Sequence, residues 1–218
     1  MIHLHYYPSN ASFAPHVLLE ELGLPFELKL VDRDQGAHKS PAYLKLNPMG
    51  LIPTLVDGEL VLSETAAILL HLADTHPAAG LLPALGTAER AQAYKWLMWL
   101  TNTLQPLLMA YYYPERWVDE GNAAGVAQVK AHAEAQISAP GGLLDLLEAE
   151  FQRHQGPWTL GASYSALDPF SFMLCRWTRG FARPARSWPA LGAFLQRMLA
   201  RPAVQRAIAT EQLPQPWI

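Results

Sequence analysis

The chain has 218 residues, half of them hydrophobic and 16% charged, with a formal net charge of −3. That length accommodates one large domain or two small ones, and that much apolar material builds a buried core rather than a disordered chain. The mild acidity argues against nucleic-acid binding, which draws on a basic face, and no apolar run reaches the roughly 18 residues of a membrane span.

The N-terminus, Met-Ile-His-Leu-His, lacks the basic and long apolar regions of a secretory signal. Cys175 is the only cysteine, so no internal disulfide can form. Both features lead us to expect a cytoplasmic protein. Residues 2–6 alternate as a short strand. A polar loop, Ser9-Asn10-Ala11-Ser12, precedes a helical period over 13–22, with Pro15 tolerable in its first turn, Ser12 as the expected N-cap and Gly23 as the stop. Residues 26–31 read as a second strand, so strand, helix and strand make a βαβ unit with a right-handed crossover. After a polar loop over 32–39, Ser40-Pro41 caps a short helix with proline at its first position.

The stretch 47–65, Asn-Pro-Met-Gly-Leu-Ile-Pro-Thr-Leu-Val-Asp-Gly-Glu-Leu-Val-Leu-Ser-Glu-Thr, holds three devices in succession. Pro53 stands at a strand mouth, where its missing N–H costs nothing. Residues 54–62 read as a β-hairpin turned on Asp57-Gly58, which suits a two-residue type I′ turn. Ser63-Glu64-Thr65 opens a helix over 65–74. Together they form a dock for an extended anionic peptide. A cis Ile52-Pro53 bond would leave the main chain of Ile52 facing outward to accept a peptide as an added strand. The helix-start amides at Glu64 and Thr65 suit a ligand carboxylate.

Pro77, Gly80, Pro83 and Gly86 mark a linker at 77–87 between a domain at 1–76 and a second at 88–218. The second domain shows helical periods only. They run over 88–113 with a bend at Pro106, over 123–154 with a break at Pro140-Gly141-Gly142, and over 169–179 behind a Ser165-Ala-Leu-Asp168 capping box. Shorter helices follow at 191–200 and 203–209. His3 and His5 share one strand face but have no partners at metal spacing, so no metal site is expected.

Leu-Ile-Pro-Thr-Leu, an acidic-Gly turn and Ser-Glu-Thr at a helix start resemble the glutathione site of the cytosolic glutathione transferases. Tyr6, residues 9–12, Gly36-Ala37-His38-Lys39-Ser40, Asn47-Pro48 and Ser165-Ala166-Leu167-Asp168 stand in that family's order and spacing. The resemblance covers nearly the whole chain and is greatest to bacterial theta-like and beta-like members. It implies a thioredoxin-like βαβαββα domain followed by an all-helical domain, a homodimer, and glutathione as co-substrate. The implied reaction conjugates glutathione, as its thiolate, to a small hydrophobic electrophile. The same thiolate would serve a lyase, dehalogenase, isomerase or peroxidase, and a non-catalytic glutathione-binding module shares the fold.

A free thiol has a pKa of about 8.5. Lowering it by two units requires about 2.7 kcal/mol, within reach of one hydrogen bond to the anion, roughly 1.5–3 kcal/mol. Ser9 is the first candidate for that hydroxyl and Tyr6 the second, although a turn serine and a strand aromatic are also ordinary uses of those residue types. The resemblance makes Asn10 a further candidate glutathione contact. The resemblance assigns Ile52 and Pro53 to the cysteinyl backbone, Glu64 and Thr65 to the γ-glutamyl end, and His38 and Lys39 to the glycine carboxylate. The electrophile needs an apolar cleft, for which the candidates are Trp99, Met109, Tyr112, Tyr113, Trp117 and Phe172, residue types that also build cores. The chain departs from the family in one place: Ala11 stands where beta-like members carry cysteine, and the zeta-like Ser-Ser-Cys loop is absent. Chemistry on an enzyme thiol is therefore not expected.

Overall fold

The computed structural model describes residues 1–218. The alternation of Ile2 and Leu4 inward with His3 and His5 outward makes β1 (Ile2–Tyr6) a strand with one face in the core. Helix α1 (Phe13–Leu22) crosses over to β2 (Phe26–Leu30), which pairs with β1 in parallel, Ile2 opposite Phe26 and Tyr6 opposite Leu30. A single turn at Ala37–Lys39 and helix α2 (Pro41–Leu46) follow. Ser40 caps α2 by accepting the Tyr43 amide, and Pro41 opens it, as its sequence predicts. The hairpin of β3 (Thr54–Asp57) and β4 (Leu60–Ser63) leads into α3 (Thr65–Thr75). The sheet order is β2-β1-β3-β4, with β3 antiparallel to β1. Leu4 and Leu55 face each other across that pair and are fully buried with Val17, Leu18, Ile68 and Leu72 from α1 and α3. This is the thioredoxin-like arrangement.

Two local expectations are corrected. The hairpin loop is Gly58-Glu59, because Asp57 pairs with Leu60. Gly58 alone takes a positive φ, +60°, and it is the first loop residue, which is the type II′ pattern rather than type I′. Ser12 stands at the expected N-cap position of α1, but its side chain makes no capping bond. It is already helical in backbone, and its hydroxyl bonds back to Tyr7, accepting the Tyr7 amide at 3.3 Å and donating to the Tyr7 carbonyl at 3.1 Å.

The rest of the chain is helical: α4 (Ala88–Trp99), α5 (Gln105–Tyr112), α6 (Ala123–Ser138), α7 (Leu143–His154), α8 (Leu167–Trp177), α9 (Pro189–Leu199) and α10 (Pro202–Thr210). The expected long helix at 88–113 is divided by a π-helical turn, Leu100–Leu104. Pro106 offers no N–H and crowds the carbonyl four residues back, and the wider turn ahead of it relieves both problems. Helix α8 is buried along its whole length. Half of its expected capping box forms: Asp168 accepts the Ser165 amide at 2.7 Å and hydroxyl at 3.1 Å, and the Thr159 amide at 2.7 Å, while Ser165 Oγ accepts the Leu167 amide at 3.3 Å instead of that of Asp168.

By its packing the chain divides into two units, Met1–Leu82 with Leu199–Pro214, and Pro83–Met198 with Gln215–Ile218. Helix α10 lies in the first unit. Helix α10 buries Ala203, Val204, Ala207 and Ile208 and packs on α1, where Arg201 pairs with Glu21 (2.8 Å between Nη2 and Oε2) and Arg206 with Glu20. The periodicity of 203–209 reveals an apolar stripe but not the partner that covers it.

Candidate functional site

Three segments of the first unit converge. The first is the loop between β1 and α1, a chain of local bonds. The Asn10 amide donates to the Tyr7 carbonyl at 3.2 Å, the Ala11 amide to Asn10 Oδ1 at 2.7 Å, and the Phe13 amide to the Asn10 carbonyl at 3.0 Å. Ser9 sits at φ +61°, a left-handed conformation rare outside glycine, and its amide donates to Glu211 Oε2 at 2.9 Å. Tyr6 ends β1, and burial together with the Glu211 carboxylate pushes its phenol pKa up. The phenol therefore stays protonated through the neutral range, able to donate a hydrogen bond.

The second segment is the loop 47–53. Its Ile52-Pro53 bond is cis. Tyr43 Oη and Asn47 Nδ2 both donate to the Leu51 carbonyl, at 2.7 and 2.8 Å, and the Met49 amide donates to Asn47 Oδ1 at 3.1 Å. Tyr43 Oη also lies 3.0 Å from Thr54 Oγ1. Ile52 belongs to no strand, and its main chain takes part in none of the loop hydrogen bonds that hold its neighbours. Gly50, at φ +62°, is where the 38–39 segment comes close: a Cβ there would lie 2.8 Å from the His38 carbonyl and 3.0 Å from Lys39 Nζ. Lys39 Nζ reaches the Met49 carbonyl at 3.5 Å. His38 and Lys39 are thus brought beside the proline loop.

The third segment is the start of α3. Glu64 is exposed and strained, at φ +69° and ψ +116°, immediately before the helix. Thr65 is buried, and its hydroxyl donates to the Ala11 carbonyl at 3.5 Å, tying this helix start to the first loop. So Tyr6, Ser9 and Asn10 lie on the first segment, Ile52 and Pro53 on the second with His38 and Lys39 beside it on the Ala37–Lys39 turn, and Glu64 and Thr65 on the third, all within one unit.

The residues expected around an electrophile lie in the helical unit and are less uniform. Trp99, Met109 and Tyr113 are partly exposed, Trp117 is 62% exposed, and Tyr112, whose hydroxyl donates to the Trp177 carbonyl, is 43% exposed. Phe172 is fully buried and is corrected to a core residue, because α8 is enclosed on every side. Cys175, on the same helix, is buried and its thiol is pushed up to about 12, so it supplies no thiolate.

Sequence reasoning missed Glu211 and His16. His16 Nδ1 donates to Glu211 Oε1 at 2.8 Å, with both side chains wholly buried. The only signal was a histidine on the apolar face of a predicted helix. Its partner is 195 residues away, and nothing local reveals it.

Residues 1–74 match the family described as the glutathione S-transferase N-terminal domain. The chain is 34% identical to glutathione S-transferase GST-4.5 of Xanthomonas campestris, over 94% of this chain and 97% of that protein. It is 36% identical to glutathione S-transferase 3 of Zea mays, over 91% and 89%. Among solved structures, a glutathione transferase homologue from Sulfitobacter with bound glutathione superposes with a TM-score of 0.87 at 28% identity, covering 98% of this chain and 99% of that one. The fold and the converging loops define a thioredoxin-like unit joined to a helical one. The chain belongs to the glutathione S-transferase family.

Proposed function

We propose that the protein conjugates reduced glutathione to small hydrophobic electrophiles, with Ser9 as the hydroxyl that stabilises the thiolate and Tyr6 as a second donor beside it. The observation that carries this reading is the meeting, in one unit, of the Ser9 loop, the cis Ile52-Pro53 loop and the start of α3. In it, the cysteinyl segment of the tripeptide pairs with the Ile52 main chain as an added strand. The γ-glutamyl carboxylate lies at Thr65 and the first amides of α3, where the helix end favours an anion. Glu64 takes the ammonium, Asn10 lines the thiol loop, and His38 and Lys39 meet the glycine carboxylate. The bound sulfur loses its proton to solvent and attacks the electrophile, displacing its leaving group or adding across an activated double bond.

The residues proposed to hold the electrophile are Trp99, Met109, Tyr112, Tyr113 and Trp117 of the helical unit, which present aromatic and thioether surface. The reading includes a cytoplasmic homodimer, for which the family resemblance is the support; no helix here is long and apolar enough to cross a membrane.

The test is Ser9→Ala. Loss of one charge-assisted hydrogen bond, about 1.5–3 kcal/mol, should lower kcat by roughly 10- to 100-fold. The heat of glutathione binding in calorimetry should be nearly unchanged. Unaltered turnover would remove Ser9 from the role, and absence of any saturable binding heat in the parent protein would remove glutathione.

A further inference from the structure

We propose that Glu211, just beyond α10, is a positioning residue that holds the Ser9 loop in its working conformation, and that His16 fixes Glu211 for that task. The inference deepens the reading of Ser9 given above and rests on it.

A buried carboxylate is unfavourable unless its oxygens are well engaged. Glu211 is 4% exposed, and each of its oxygens has a partner: Oε1 accepts from His16 Nδ1 at 2.8 Å and Oε2 from the Ser9 amide at 2.9 Å. Ser9 is where the loop is strained, at φ +61°, and a left-handed non-glycine residue persists only where its surroundings over-determine it. The Glu211 contact supplies that constraint from a position 202 residues away. Glu211 is itself placed by the body of α10: its amide donates to the Ala207 carbonyl at 2.9 Å, and α10 is pinned to α1 by the Arg201–Glu21 and Arg206–Glu20 pairs.

The role is geometric. A negative carboxylate near the sulfur would oppose a thiolate, so charge alone would work against activation. What the carboxylate contributes is reach: it spans the Ser9 amide and the His16 ring at once. Its charge falls also on Tyr6, whose phenol it helps keep protonated.

The experiment compares Glu211→Asp, Glu211→Gln and Glu211→Ala with Ser9→Ala in the full-length protein. It reads kcat, KM for glutathione, the pKa of the bound thiol from its ultraviolet thiolate absorbance, and Tm. Aspartate keeps the charge but is one methylene too short to hold both partners. Glutamine keeps the reach, accepting from the Ser9 amide and donating to His16 Nδ1, while the ring proton moves to Nε2, which has no partner in the fold. The expected result is that Glu211→Asp and Glu211→Ala lower kcat at least tenfold and raise the bound-thiol pKa by about one unit, one unit being a tenfold change in thiolate fraction. KM should change little, and Glu211→Gln should recover most of the turnover. If Glu211→Ala does not fold, the aspartate and glutamine pair still decides. An aspartate variant with parental kcat and thiol pKa, beside an impaired Ser9→Ala, would overturn the positioning role alone. The same holds if Tm falls while both readouts stay at parental values. An unimpaired Ser9→Ala would overturn the reading beneath it.

Discussion

Ser9 and Glu64 occupy left-handed backbone although neither is glycine, and they border the same site from two loops. Single residues in such conformations cost of order 1–3 kcal/mol each; the Ser9 amide is held by Glu211 Oε2 at 2.9 Å, and the Glu64 carbonyl accepts the Ile68 amide at 3.0 Å. Cys175 illustrates the opposite case, a reactive residue type made inert by its surroundings. It is 1% exposed, and burial pushes its thiol up to about 12. A thiol-reactive dye should therefore find no thiol in the native protein at pH 8 and one per chain after denaturation. A native signal of one thiol would reopen chemistry on an enzyme cysteine.

Among the elements, α8 and its capping box show how buried polarity is organised. Asp168 satisfies the Ser165 and Thr159 amides and the Ser165 hydroxyl, yet enclosure dominates and raises its pKa to about 6 from 3.8. Asp168→Asn offers one acceptor oxygen in place of two, so an amide loses its partner at about 1–3 kcal/mol, a Tm loss of roughly 2–12 °C at this chain length. The pH dependence has a definite sign. Between about 4 and 6 the folded state holds a proton that the unfolded state has released, so the Asp168 contribution to stability falls as pH rises through that window and is level above it. The Asn variant lacks this slope. Its Tm deficit should shrink between pH 4.5 and 7, and a deficit that grows with pH would contradict the assignment.

At the scale of the molecule, the first unit is completed by chain from its far end. Helix α10 buries Val204 and Ile208 and lays its apolar stripe on α1. Burying two such side chains contributes on the order of 5 kcal/mol, comparable with the whole stability of many domains. A chain ending at Met198 should unfold at a markedly lower urea concentration and bind a hydrophobic dye. It should also show no glutathione heat, because without the α10 face the unit that carries the three segments no longer holds its fold. Retention of the parental urea midpoint would show that α10 is dispensable.

Much of this was legible in the residues themselves because it is local chemistry. Alternation marks β1, a glycine stops α1, Ser40-Pro41 opens α2, and the Ser165–Asp168 spacing builds a cap, each within a few positions of chain. The proline loop and the Ser-Glu-Thr helix start are likewise readable from order and spacing as local structure. What the linear string left open were the contacts between distant positions: the seat of α10 on α1, the Glu211 bond to Ser9, and the enclosure that turns Phe172 into core. Those depend on which surfaces meet once the chain has closed, and an apolar stripe or a lone buried histidine is compatible with many partners until packing selects one.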